Sequence, residues 1–123
     1  MNIRPVNDQD FRALVGSEGP SLHVTLVGNA DLNVKSELDR FMTAVHDEAR
    51  RISAKEVVVD LKELEFMNSS CLKSLVWWIS SVNELASDRQ YHITFVSSPA
   101  MYWQRRSLTA LAGLASDLVS IAP

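Results

Sequence analysis

The chain holds a single cysteine, Cys71, among 123 residues, with only four glycines and four prolines. One cysteine excludes an internal disulfide framework and suits a reducing compartment. With so little glycine and proline there is no low-complexity segment, repeat or linker. One domain is expected, and 123 residues suffice to bury a core without metal or disulfide staples. No run of lysines or arginines marks a nucleic-acid face: 12 basic residues stand against 15 acidic ones, a net charge of −3. Residues Met1 to Asp10 are polar and lack a secretory apolar region. No apolar stretch approaches the roughly 18 residues of a membrane span. A P-loop, a G-x-G-x-x-G fingerprint and a nucleophile elbow are also missing. These gaps predict a cytoplasmic protein with no membrane insertion, no nucleic-acid partner, no metal and no cofactor.

What is present is ordinary globular chemistry, 46% apolar and 22% charged. Phe11–Val15 reads as a first strand, and Ser17-Glu18-Gly19-Pro20 as a turn. Leu22, Val24 and Leu26 alternate with His23 and Thr25, the period of a strand with one buried face, which Gly28-Asn29-Ala30-Asp31 ends. A helix capped by Asn33 and running to Arg51 presents Val34, Leu38, Phe41, Met42, Val45, Ala49 and Ile52 at helical spacing. The run Val57-Val58-Val59 predicts a central strand covered on both faces.

Asn68-Ser69-Ser70 offers three N-cap residues in a row before a second helix over Ser70–Ala86, with Leu72, Leu75, Val76, Ile79, Val82 and Ala86 inward. Tyr91–Val96 is a further strand. Ser98-Pro99 opens a third helix over Ala100–Ala112, with Leu108, Leu111 and Ala112 inward and Gly113 as its stop. Leu118–Ile121 closes the chain as a strand. The order β-β-α-β-α-β-α-β predicts an α/β sandwich: a mixed four- to five-stranded sheet with helices mainly on one face. Its core spans residues 11–122, and residues 1–10 form a flexible lead-in to the single domain 1–123.

Helical geometry sorts the aromatic residues. Trp77 falls opposite the apolar stripe of the second helix, beside Lys73, where an exposed indole is a binding hot spot. Trp78 lies at the stripe's margin and belongs to the core. Trp103 falls opposite Leu108 and Leu111, and the pattern leaves open whether it covers the neighbouring turn or forms a second contact patch. His23, His46 and His92 lack metal-ligand spacing. Asp31 and Asp60 sit at strand ends with turn and cap roles. Arg105 and Arg106 form a solvated pair. Cys71 has no second cysteine to resolve an oxidised form and reads as a small packing residue. No catalytic constellation emerges, so no enzyme activity is expected.

Three segments together resemble the STAS domain family, the anti-sigma-factor antagonists and their bacterial relatives. Leu22 to Leu32 resembles the family's strand with its L-x-G-x-x-D ending. Val57-Val58-Val59-Asp60-Leu61, followed by Leu64-Glu65-Phe66-Met67-Asn68-Ser69-Ser70, resembles its V-V-L-D-L…L-x-F-M-D-S-S-G-L centrepiece. Ser98-Pro99 with Leu111-Ala112-Gly113-Leu114 resembles its third-helix frame. The resemblance implies a regulatory protein whose serine at the helix start, Ser69 or secondarily Ser70, is phosphorylated. The partner would be a serine kinase that is also an anti-sigma factor, or another signalling protein, bound in the unmodified state and released on phosphorylation. Asn68, Ser69, Ser70, Cys71, Lys73 and Trp77 would form the binding surface.

The chain departs from the family pattern where Asn68 replaces the usual acid, Cys71 the usual glycine and Lys73 a small residue. These departures motivate an alternative, a constitutive adaptor subunit of a transporter-associated or scaffold complex that is never phosphorylated. A further alternative is a module binding a small anion or nucleotide at the helix start, where backbone N–H groups attract negative charge.

Overall fold

The structure, a computed structural model, describes residues 1–123. Apolar–polar alternation builds a seven-stranded sheet: β1 (Val6–Asn7), β2 (Phe11–Glu18), β3 (Ser21–Ala30), β4 (Glu56–Asp60), β5 (Leu64–Met67), β6 (His92–Val96) and β7 (Val119–Ala122). The order across the sheet is β1-β2-β3-β4-β6-β7, with β5 paired to β3 beside β4. β1, β2 and β3 run antiparallel, and β3, β4, β6 and β7 run parallel. Along the parallel half Leu22, Val57, Ile93 and Val119 stand in one register row, all buried. Val24, Val59 and Phe95 form the next, equally buried. The five strands expected from the pattern are all present. The two additional ones, β1 and β5, span two and four residues, too short to show a period of their own.

Three helices cover one face: α1 (Lys35–Arg51), α2 (Ser69–Asn83) and α3 (Tyr102–Leu114). Each connects two parallel strands, β3 to β4, β4 to β6 and β6 to β7, and every step runs in the same direction across the sheet. Right-handed crossovers taken repeatedly in one direction place their helices on one side. The expectation that Val57-Val58-Val59 would be covered on both faces is therefore overturned. Val57 and Val59 are buried under the helices, whereas Glu56, Val58 and Asp60 face the uncovered side and are only half-buried.

The helix boundaries differ in instructive places. Asp31, not Asn33, caps the entry to α1: its carboxylate accepts the Asn33 N–H at 2.9 Å and starts a 3-10 turn over Leu32–Val34. α3 begins at Tyr102, and Gly113 does not stop it, because the helix continues to Leu114. Its position is fixed by Gln104, fully buried, whose amide donates to the carbonyls of Leu61 (2.6 Å) and Leu64 (3.1 Å) and accepts from the N–H of Ser98 (2.9 Å). Leu38, Phe41, Met42, Val45 and Ala49 of α1 and Leu75, Trp78, Ile79 and Val82 of α2 fill the core, each large aliphatic side chain contributing about 1.5–3 kcal/mol. The lead-in is tied to α1 as well: the Arg40 guanidinium donates to the carbonyl of Arg4 at 3.0 Å, and Val6 is buried.

Candidate functional site

Three elements converge at one end of the sheet. β3 pairs with β4 over Ser21–Thr25 and with β5 over Gly28–Ala30, and its register on β5 shifts between Gly28 and Asn29. Gly28 has φ +97°, and a Cβ there would overlap the carbonyl oxygen of Asp10. The glycine of the L-x-G-x-x-D segment is thus a backbone requirement. Beyond the break, the Ala30 carbonyl accepts the Asn68 N–H at 2.9 Å, and the Asp31 carbonyl accepts from the Cys71 thiol at 3.3 Å. These bonds pin the start of α2 against the end of β3.

At that start, the Asn68 side chain accepts the Cys71 N–H at 2.8 Å and is the N-cap of α2. Of the three capping candidates it alone serves. Ser69 is exposed and Ser70 half-buried, and neither hydroxyl is engaged in a hydrogen bond. Lys73 follows one turn after Ser69, and Trp77 one turn later, 46% exposed. Spacing of four puts Ser69, Lys73 and Trp77 in a line along the outer face of α2. Lys73 has no ion-pair partner. Cys71 does not share this line. It is fully buried, and burial pushes its thiol pKa up, with Asp31 and Asp39 adding to the effect against Lys35. The spacing Cys71–Leu75–Trp78–Val82 contained this placement, since all four fall on the buried stripe.

Two exposed apolar residues flank the tip and carried no sequence signal. Leu32 follows the capping Asp31, and Phe66 precedes Met67 and Asn68. Alternation would bury Phe66 with Leu64, but the end of β5 turns so that Met67 goes inward instead. Trp103, left open by the pattern, is half-buried over β5, where its indole N–H donates to the Leu64 carbonyl at 3.2 Å.

Beside this face lies a groove of about 420 Å³ between α1 and α2, lined by Lys35, Asp39, Thr43, Lys73, Ser74 and Trp77. At its base the Lys35 ammonium donates to the Asp39 carboxylate (2.9 Å) and to the Ser74 hydroxyl (2.9 Å), which itself donates to Asp39. Under Trp77 the buried aromatic residues form a second polar group. The Trp78 indole N–H donates to the Tyr91 hydroxyl at 2.7 Å, and that hydroxyl lies 2.6 Å from Nδ1 of His46. An indole N–H has only a hydrogen to offer, so the Tyr91 oxygen accepts from it, and the Tyr91 hydrogen is satisfied when Nδ1 of His46 accepts it. This pairing corresponds to a neutral His46 with its hydrogen on Nε2. Burial lowers its pKa, Arg50 adds to that and Asp47 opposes it; burial also pushes the Tyr91 phenol far up. The His46 ring meets Trp77 edge-on, with centroids 6.1 Å apart.

Asp31 and Asp60 hold turns, the latter accepting the Lys62 N–H at 2.9 Å. His23 pairs with Glu18 at 3.4 Å and His92 with Ser120 at 2.8 Å. No group of three or more His, Cys, Asp or Glu residues is placed to hold a metal ion. No helix is long and apolar enough to cross a membrane.

No family model matches the sequence, and no curated protein matches it either. Among solved structures, the crystal structure of an anti-sigma factor antagonist from Mycobacterium paratuberculosis superposes with a TM-score of 0.67. The two are 21% identical, and the match covers 92% of this chain and 86% of the other. The fold is STAS-like. Within the STAS-like fold, the centrepiece segments become β4, β5 and the tip of α2, and the L-x-G-x-x-D segment becomes the broken end of β3 that anchors this tip.

Proposed function

We propose that the chain is a regulatory protein-binding domain that works as an anti-sigma factor antagonist, docking a partner on the outer face of α2 and released by phosphorylation of Ser69. One observation carries the reading. The line Ser69–Lys73–Trp77 starts at a capped helix tip, with an unengaged hydroxyl at one end and a half-exposed indole at the other. Leu32 and Phe66, close along the chain to the residues that anchor this tip, are exposed apolar side chains as well. The partner is a serine kinase that doubles as an anti-sigma factor. Asn68, Ser70 and Lys73 border the contact, whereas Cys71 supports it from beneath.

The switch is electrostatic. A phosphate on Ser69 adds about −1.5 to −2 charges to the docking surface, and the N-terminal end of the helix dipole tolerates it. No refolding is needed, because the cap is made by Asn68. The test begins with the protein that the Ser69→Ala chain retains from its native cells, once identified and purified. Its affinity for Ser69→Ala is expected to exceed that for Ser69→Asp by at least tenfold. Equal affinities would remove the switch.

A second reading, a constitutive adaptor, is favoured by Asn68. Its side-chain oxygen is taken up by the cap, and an amide is no acid to assist phosphoryl transfer. Phosphoserine at position 69 in protein isolated from native cells decides against it.

A further inference from the structure

The residues beneath Trp77 form a hydrogen-bond chain in which every hydrogen is satisfied when Tyr91 donates to His46. Trp78 can only donate, Tyr91 has one hydrogen, and Nδ1 of a neutral His46 is the acceptor that satisfies it. Trp78 and Tyr91 are essentially inaccessible, and His46 is nearly so. The chain joins three elements: α1 through His46, α2 through Trp78, and the residue entering β6 through Tyr91. On the outside of the same imidazole sits Trp77.

We propose that His46, Tyr91 and Trp78 form a proton-sensitive latch that sets the pose of Trp77, so that acid releases the indole from its place on the outer face of α2.

A second proton on His46 must go to Nδ1, where it meets the Tyr91 hydrogen across 2.6 Å. Either the imidazole turns away from Tyr91, or the Tyr91 hydroxyl swings and leaves its hydrogen buried without an acceptor. Both outcomes disturb the latch: the first moves the ring against which Trp77 leans, and the second reverses the His46–Tyr91 hydrogen bond and strands the Tyr91 hydrogen. The charged groups near the imidazole are Arg50 and Asp47, both on α1 and opposed in effect. α2 meets the ring with Trp77, and the approach to β6 meets it with Tyr91, neither of which carries a charge to hold a protonated ring in place. The protonated ring thus has no carboxylate partner inside the seam to hold it there. The latch itself stands on these contacts alone; its consequence for docking rests on the role given to Trp77 above.

The test uses the full, uniformly ¹⁵N-labelled chain without any partner, so its failure is distinct from failure of the phosphoswitch. The ring nitrogens of His46 and the three indole N–H resonances are followed between about pH 8 and pH 5, the range in which histidine titrates. At the upper end His46 is expected to be neutral with its hydrogen on Nε2. As it titrates, the Trp78 and Trp77 indole resonances are expected to shift with the same midpoint. His46→Gln keeps an acceptor for Tyr91 but cannot titrate, and is expected to abolish the Trp77 shift. The proposal is overturned if the hydrogen resides on Nδ1 at neutral pH. It is equally overturned if both indoles stay fixed while His46 titrates, or if His46 remains neutral until the chain unfolds.

Discussion

The Ser74 hydroxyl on α2 donates into the Asp39 carboxylate on α1, across 35 positions of sequence, and Lys35 bridges both. Ser74 is 2% exposed, so this polar contact sits inside the seam of the two helices that carry the candidate site. The carboxylate is its centre, serving two donors, and is itself about half exposed.

Removing the centre should therefore cost more than removing a spoke. Ser74→Ala is expected to lower stability by about 1 kcal/mol, and Asp39→Ala by about 2 kcal/mol, since the latter strands both a buried hydroxyl and an ammonium. Urea denaturation of the two variants checks the ranking. Equal losses would mean that the seam does not depend on the carboxylate.

Gly28 and Gly19 both have positive φ, +97° and +60°, but only Gly28 has backbone pressed against its missing side chain. Gly28→Ala is expected to destabilise by about 2–4 kcal/mol, combining strain with overlap on Asp10. Gly19→Ala, in open space, is expected to lose about 1 kcal/mol. Similar losses at both positions would show that the close approach to Asp10 contributes nothing.

The adjacent tryptophans should separate stability from binding. Trp78, fully buried and bonded to Tyr91, is expected to cost about 3–5 kcal/mol on truncation to alanine. Trp77→Ala is expected to change stability by less than about 1 kcal/mol yet to weaken partner binding at least 30-fold, the loss of a hot spot worth about 2 kcal/mol. Thermal unfolding and a binding titration on each variant make the comparison. A Trp77→Ala chain that binds normally would place the contact elsewhere.

Stability should fall on mild acidification. His46 has its pKa lowered from 6.5 in the folded chain, chiefly by burial. The unfolded chain then takes up a proton that the folded chain refuses, so stability is complete above about 6.5 and declines as pH drops toward the lowered value. Glu37 and Glu48 are held below 4.5 by hydrogen bonds from Arg40 and Arg51 and add a second decline at more acid pH. Chemical denaturation across this range is expected to show the first decline in the native chain and not in His46→Gln. A first decline that persists in His46→Gln would assign it to other groups.

Much of this architecture was written in local periodicity. Leu22, Val24 and Leu26 announce a strand with one dry face, and Leu38, Phe41, Met42 and Val45 a helix lying on it. The 100° step per residue separates Trp77 from Trp78 without further help. What periodicity cannot express is a partner far along the chain. Nothing near His46 names Tyr91, which is 45 positions away, and nothing near Ser74 names Asp39. An apolar run such as Val57-Val58-Val59 does not reveal how many faces will be covered, because that depends on the direction in which each crossover steps across the sheet. Cys71 was misplaced for a local reason: the resemblance put it on the docking surface, whereas its spacing to Leu75 and Trp78 sends it inward.

Because one amide at position 68 closes the helix end, the two neighbouring hydroxyls have no structural duty. Chemistry at this tip is thereby decoupled from foldability: a charge can be added, removed or exchanged there while the framework beneath stays as it was. A surface built in this way is free to diversify its partners over evolutionary time without renegotiating the scaffold.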